Sequence, residues 1–290
     1  MNWQIALSIA IFANTASIIL ITLAAKKLRE KSWGIFFQYL FCVPLVFLYA
    51  FYSKELIFKP LIFLLGFFVA LGAYFQWKAQ GISQSKTVLF IPVMNIITLA
   101  LAMAFLEEAD SWNLKLVSGI SLCFFAMYLL GRSYNKKENG ISKVSNKVWL
   151  FFTLSAVAIF GVAQFLLKYF TQNGLPRGAF LLGWYGGAFL GSILILWFET
   201  RFKKSDSLSK TTILITLLLS LFIVGNILGQ YLSYQLGGKV SLVVPLQGLI
   251  TVAIPLVVGL FLFKEGKGVS KLEIVGFLTG GLGAVLILLN

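Results

Sequence analysis

The sequence predicts an all-α integral membrane protein with about ten transmembrane helices, arranged as two inverted five-helix repeats. Three observations predict this fold class: a composition that is 59% hydrophobic and only 12% charged, ten long apolar segments, and matching landmarks in the two halves of the chain. Soluble domains carry about 25% charged residues and need this polar surface to stay dispersed in water. The composition therefore indicates a chain whose main solvent is lipid.

Ten segments are long and apolar enough to cross a bilayer, which takes about 20 mostly apolar residues in a helix. They are 3–25, 33–53, 61–79, 87–106, 113–131, 148–170, 178–199, 211–236, 240–263 and 271–289. Lipid cannot satisfy backbone N–H and C=O groups, so each span must be a helix or part of a closed barrel. Barrel strands are shorter and alternate in polarity, so these segments are predicted to be helices.

The longest polar stretch, 132–147, leaves five segments on each side. We therefore predict a first repeat at 1–131, a polar linker loop at 132–147 and a second repeat at 148–290. Each half has an odd number of spans, so the second half must be inverted in the membrane relative to the first. Inverted repeats are typical of secondary transporters.

Short sequence matches occur in the same order in the two halves. KTVLFIP at 86–92 resembles KVSLVVP at 239–245, and IAIFANT at 9–15 resembles VAIFGVA at 157–163. In the stretches that end each half, a helix with an early proline is followed by a glutamate, a short polar turn and a glycine-bearing helix. These landmarks favour an internal duplication.

The chain lacks the residues of several common enzyme classes. It contains no His, so catalytic and metal sites built on His are excluded. Its two cysteines, Cys42 and Cys123, lie in apolar segments, and it has no nucleotide-binding glycine motif. We therefore predict a protein that is not an enzyme, with no catalytic residue, no metal ligand and no cofactor.

The net charge of +14 would suggest nucleic acid as a partner of a soluble protein. Here the basic residues lie in short loops between apolar segments, where they set topology and contact anionic lipid headgroups. Membrane lipid is therefore an expected partner, and nucleic acid is not.

Ionisable residues are scarce inside the predicted spans, because a charge at the bilayer centre is costly. The ten acids lie at span ends or in loops, and the deepest bases are Lys78 and Lys168. Both bases are interpreted as interface anchors whose long side chains reach the headgroups. The alternative is that Lys168 binds an anionic substrate.

Uncharged polar and aromatic residues inside the spans are the candidate substrate contacts. Any one amide can be explained as a hydrogen bond between helices. As a set, they predict a cavity that suits a neutral, zwitterionic or cationic metabolite, and aromatic faces would attract a quaternary ammonium. The predicted contacts are Asn14, Tyr74, Trp77, Asn95, Gln164, Trp184, Asn226, Gln230 and Gln247.

The two repeat ends, which begin at KTVLFIP and KVSLVVP, resemble the drug/metabolite transporter superfamily, in particular its ten-helix members with two EamA-like domains. The resemblance covers nearly the whole chain. It implies a transporter of a small polar metabolite, such as an amino acid, a sugar or a choline-like cation, that works by alternating access. It also implies a central cavity between the repeats. Small multidrug relatives carry an acid in the first helix, where this chain has Asn14.

Loops 1–2, 3–4, 5–6, 7–8 and 9–10 hold most of the 24 Lys and Arg residues. Basic loops stay cytoplasmic, so we predict a multi-pass protein of the bacterial cytoplasmic membrane with both termini outside the cytoplasm. The resemblance implies the opposite orientation, because many members of the family have basic termini inside.

Two other functional hypotheses are a non-transporting scaffold or flippase subunit that works with a partner, and a membrane-embedded enzyme that acts on lipid-linked substrates. Such enzymes need acids or His at the membrane face, and the chain offers only the cluster Glu107, Glu108 and Asp110. In the repeat alignment this cluster matches the turn at Glu265, which favours a structural role. The expected partner is therefore a small-molecule substrate. The chain is expected to be a monomer or a homodimer.

Overall fold

The computed structural model describes residues 2–82, 87, 91–106, 114–137, 146–201, 209–261 and 271–288. These residues form ten α helices: α1 (Trp3–Lys27), α2 (Lys31–Tyr52), α3 (Pro60–Ile82), α4 (Ile91–Phe105), α5 (Leu114–Lys137), α6 (Asn146–Gln172), α7 (Arg177–Thr200), α8 (Lys210–Gln235), α9 (Val240–Phe261) and α10 (Lys271–Leu288). The acids Glu107, Glu108, Asp110 and Glu265 lie outside the described residues.

The prediction of an all-helical fold is confirmed for the part of the chain that the structure describes. Six helices, α1, α2, α3, α6, α7 and α8, are long and apolar enough to cross a membrane. The described parts of α4, α5, α9 and α10 contain shorter apolar stretches: Val93–Phe105, Leu114–Leu129, Val240–Ile250 and Ile274–Leu286. The structure differs from the predicted bounds at α5, which continues to Lys137, because residues 132–137 include no Gly or Pro that would end the helix.

Capping side chains and prolines fix several helix starts. The Asn2 side chain accepts a hydrogen bond of 3.0 Å from the backbone N–H of Ile5 and so begins α1. Ser209 caps α8 in the same way through Thr212, at 3.2 Å. Pro60 is the first residue of α3, where its missing N–H has no consequence.

The outer surface of the bundle is apolar. Phe12, Phe198 and Leu278 have 68%, 74% and 66% of their surface exposed. Soluble monomers rarely expose apolar surface on this scale, whereas a lipid-facing surface needs it. The exposed residues and the long apolar helices are together compatible with a multi-pass membrane protein.

Helices from the two halves of the chain pack against each other. The most extensive contacts join α1 to α8, α5 to α10, α3 to α7 and α2 to α7. Small residues allow α3 and α7 to touch through their backbones. A Cβ atom added at Gly66 would meet the backbone of Trp184, and one added at Gly187 would meet the backbone of Phe63. The halves are therefore interleaved rather than adjacent.

Candidate binding cavity

A cavity of about 180 Å³ lies among α1, α2, α3, α4, α6, α7, α8 and α9. No Asp, Glu, Lys or Arg is among the described residues that line it. Its amide-bearing residues are Asn14, Gln38, Gln76, Gln164, Asn226, Gln230 and Gln247, and its aromatic residues are Tyr39, Trp77, Phe160, Trp184 and Tyr185. The cavity can therefore offer hydrogen bonds and aromatic packing surface.

The structure brings most of the predicted contacts together at this cavity. The predicted residues that line it are Asn14, Trp77, Gln164, Trp184, Asn226, Gln230 and Gln247. Tyr74 and Asn95 do not line it.

Three of the lining amides form a hydrogen-bonded row across α1 and α8. The Asn226 amide nitrogen donates to the Asn14 side-chain oxygen at 3.4 Å, and the Gln230 amide nitrogen donates to the Asn226 oxygen at 2.8 Å. A four-residue spacing on a helix places Asn226 and Gln230 on one face. A Cβ at Gly229 would stand 2.9 Å from the backbone N of Ala10, so α1 can approach α8 closely here. These contacts hold the Asn226 amide in a fixed orientation.

Two fully buried polar atoms of cavity-lining residues lack a hydrogen-bond partner among the residues that the structure describes. They are the side-chain carbonyl oxygen of Gln38, Oε1, and the indole nitrogen of Trp77, Nε1. Both side chains are almost fully buried, with 2% and 0% of their surface exposed. A buried polar group without a partner costs about 1–3 kcal/mol, so a polar guest that reached either atom would gain by bonding it.

Tyr74 belongs to a charged cluster near the end of α3. Its hydroxyl donates to the Glu199 carboxylate at 3.3 Å, and Lys78 forms an ion pair with the same carboxylate. The Lys78 amine also lies 5.3 Å from the centroid of the Tyr74 ring. Tyr74 therefore joins α3 to α7 instead of contacting the cavity.

Asn95 is buried between α4 and α9. Its amide nitrogen donates to the backbone oxygen of Val244 at 3.5 Å, and its side chain packs where Gly248 leaves room. This is the interhelical role that a single membrane amide often has. Thr98, one turn later, donates to the backbone oxygen of Gly161 at 2.9 Å, which joins α4 to α6.

Two glutamates bind the helix starts of the opposite half. Glu199, near the end of α7, accepts a hydrogen bond of 3.1 Å from the backbone N–H of Ser32 at the start of α2. Glu55, just after α2, accepts one of 2.6 Å from Gly178 at the start of α7. A negative charge at a helix N-terminus interacts favourably with the helix dipole and with its unpaired N–H groups.

Lys168 does not line the cavity. Its amine donates to the backbone oxygen of Gly238 at 2.8 Å and lies 5.2 Å from the centroid of the Tyr234 ring. This arrangement ties the end of α6 to the loop between α8 and α9, so an anchoring role fits the geometry better than binding of an anionic substrate.

The polar and aromatic lining residues that were not among the predicted contacts are Ser17, Gln38, Tyr39, Gln76, Phe160 and Tyr185. Tyr39 and Tyr185 lie the same distance after the first residues of α2 and α7, and their ring centroids are 6.4 Å apart. Tyr185 also donates to the backbone oxygen of Ile223 at 2.9 Å. Aligning α2 with α7 indicates this pair, but the short sequence matches between the halves lie in other helices.

No protein-family model and no curated protein sequence matches the chain. A solved structure described as "Crystal structure of protein" is similar to it, with a TM-score of 0.66 and 15% sequence identity. The similarity covers 97% of this chain and 97% of the other. At this level of identity the likeness concerns the fold alone.

Proposed function

We propose that this chain is a secondary transporter or facilitator of a small polar metabolite, of the drug/metabolite transporter type with two EamA-like repeats. The observation that carries the proposal is the cavity between helices of both halves, lined by amides and aromatic rings and by no charged residue among those described. Concave sites with apolar walls and a few placed polar groups are typical of small-molecule binding. The expected substrates are amino acids, sugars and choline-like cations.

The helix contacts support ten membrane-crossing helices in two inverted repeats, 1–131 and 148–290. The segment 132–147 joins them, and its residues 132–137 and 146–147 belong to α5 and α6. A two-fold axis relating the two halves would exchange each of the helices α1 to α5 with the helix five places later in the chain, so that α1 exchanges with α6 and α3 with α8. Under that exchange, the contact of α1 with α8 becomes that of α6 with α3, and the contact of α3 with α7 becomes that of α8 with α2. All four contacts are present. The pairs α2–α7, α4–α9 and α5–α10 exchange onto themselves and are also in contact.

The glutamate contacts support an alternating-access mechanism. Glu199 binds the start of α2 at one end of the α2–α7 pair, and Glu55 binds the start of α7 at the other end. Breaking one contact while keeping the other would let the halves rock about the central cavity. In this mechanism one solute binds at a time and is exposed to alternate sides of the membrane.

The experiment that tests the proposal is uptake into liposomes containing the purified protein, compared with protein-free liposomes. The panel would include neutral amino acids, sugars, uridine and choline, each radiolabelled. We expect saturable uptake of at least one compound. Equal accumulation in both preparations across the panel would rule out the proposed function.

A further inference from the structure

Two buried, unpaired atoms of residues that line the cavity carry information about the substrate. The Gln38 side-chain oxygen can only accept a hydrogen bond, and the Trp77 indole N–H can only donate one. Both residues line the cavity, and neither atom has a partner among the described residues. A bound solute that supplies a donor to Gln38 and an acceptor to Trp77 would satisfy both.

The absence of charge around the cavity restricts the solute further. None of the described lining residues carries a charged side chain near neutral pH, since Asp, Glu, Lys, Arg and His are all missing among them. The nearby bases have other contacts, since Lys78 pairs with Glu199 and Lys168 binds the Gly238 carbonyl. An ion with a net charge would lose its hydration without gaining a counter-charge, which is costly.

A quaternary ammonium would use only part of the cavity. The rings of Tyr39, Trp77 and Trp184 could attract such a cation through their faces. It has no N–H or O–H on the charged group, however, so it would leave the Gln38 oxygen unpaired if it bound through that group. Sites built to bond a solute N–H or O–H discriminate strongly against analogues that lack it.

We infer that the cavity selects small solutes of zero net charge that present an N–H or O–H donor to Gln38 and an oxygen acceptor to Trp77. The inference rests on the proposed function and narrows its substrate class. The cavity volume of about 180 Å³ is below the range of about 300–1,000 Å³ typical of drug-sized pockets, so the solute is a small metabolite. Zwitterionic amino acids and uncharged nucleosides or polyols both carry this chemistry.

The test measures binding to the purified full-length chain by solute-induced shifts in thermal stability and by equilibrium dialysis. The probes are L-glutamine and L-phenylalanine as zwitterions, uridine and ribitol as uncharged solutes, and choline, L-lysine and L-glutamate as ions. We expect at least one zero-net-charge probe to bind more tightly than every ion. Comparing the zwitterionic probes with the uncharged probes identifies which of these two classes of solute the cavity binds more tightly.

Two substitutions test the assigned contacts. Gln38→Leu removes the acceptor, and Trp77→Phe removes the donor while keeping an aromatic ring. Each should weaken binding of the neutral probe roughly 5- to 150-fold, the equivalent of losing about 1–3 kcal/mol. If Gln38→Leu does not fold, Gln38→Met, which is closer in length, takes its place.

The chain offers matched controls for both substitutions. The Gln80 side-chain oxygen is also buried without a partner among the described residues, but Gln80 does not line the cavity. Trp197 is 47% exposed and also lies away from the cavity. Gln80→Leu and Trp197→Phe should therefore leave the affinity within about twofold of that of the parent protein, since neither side chain lines the cavity.

The outcomes separate this inference from the proposed function. Tightest binding of an ion, binding by no neutral probe, or unchanged affinity in both Gln38→Leu and Trp77→Phe would overturn the inference. Saturable transport of an ion would then leave the transport function standing. Conversely, a neutral probe that binds through Gln38 and Trp77 but never crosses the liposome membrane would support the site and contradict transport.

Discussion

The Glu55 carboxylate accepts a hydrogen bond of 2.6 Å from the backbone N–H of Gly178, the second residue of α7. Glu199 makes the reciprocal contact with Ser32, the second residue of α2. The backbone at the ends of α2 and α7 is also similar, since Lys54 has a φ of 58° and Arg201 one of 50°. Each helix thus ends near a carboxylate that binds the start of the other.

Removing one of these contacts should favour opening of the cavity at that end. We expect Glu199→Ala to increase labelling of Ser17→Cys, in the cavity wall, by an impermeant thiol reagent from the side of the α1–α2 loop. Losing a helix cap costs about 0.5–2 kcal/mol, which shifts a two-state equilibrium about 2- to 30-fold. Labelling rates in intact cells and inside-out vesicles measure the change.

The matched variant is Glu55→Ala, which should increase labelling from the opposite side. The parent protein controls for its own cysteines, Cys42 and Cys123, which are both buried. Identical labelling from both sides in Glu55→Ala and Glu199→Ala would contradict the assignment of the two contacts to opposite ends.

Lys78 and Glu199 should stabilise the fold through their ion pair, so that the effects of changing the two residues are coupled. Lys78→Met leaves the Glu199 carboxylate, which is only 17% exposed, without its cation, and should lower the thermal midpoint. Adding Glu199→Gln to Lys78→Met should restore part of the loss. A double-mutant cycle in thermal unfolding measures the coupling, expected at about 0.5–3 kcal/mol. Strictly additive effects would mean that the pair contributes nothing specific.

The amide row should orient the substrate. Asn226→Ala removes the acceptor of Gln230 and the donor to Asn14, so substrate affinity should fall roughly 5- to 150-fold. Equilibrium dialysis with the solute that binds the parent protein measures it. Asn173→Ala, a change at an exposed amide outside the cavity, is the control and should have no effect.

Asn95→Ala should behave differently from changes at the cavity, because Asn95 joins α4 to α9 through Val244. It should lower thermal stability by about 0.6–2 kcal/mol, the range for an interhelical hydrogen bond in a membrane. Thermal unfolding and binding measured on the same preparation distinguish the two effects. A large loss of affinity with unchanged thermal stability would indicate that Asn95 contacts the substrate after all.

Glycine at position 187 should be required for close packing of α3 and α7. Gly187→Ala would place a Cβ against the backbone of Phe63, which cannot move aside easily, and should cost about 1–3 kcal/mol. In Gly281→Ala the added Cβ meets no atom of the described residues within 4 Å, so this change should be neutral or stabilising by up to about 1 kcal/mol. Thermal unfolding of both variants is the measurement, and equal midpoints would argue against the backbone contact.

The helix positions could be predicted because long apolar segments between short polar loops leave few alternatives in lipid. The face shared by Asn226 and Gln230 was also predictable, since it depends only on helical spacing. The role of Tyr74 was not, because its partner Glu199 lies 125 residues later in the chain. Likewise, Asn95 and Gln164 are both amides inside predicted spans, so the sequence does not distinguish them. In the structure Asn95 bonds the backbone of α9, whereas Gln164 lines the cavity.

The interleaved packing of the two halves has a consequence for biosynthesis. The main partner of α1 is α8, and that of α3 is α7, so the first helices enter the membrane before their neighbours exist. At about 5–20 residues per second, the roughly 200 residues between α1 and the end of α8 take about 10–40 seconds to translate. During that interval the Asn14 side chain has no Asn226 to bind, and nascent α1 must be held by lipid or by the insertion machinery until the second half arrives.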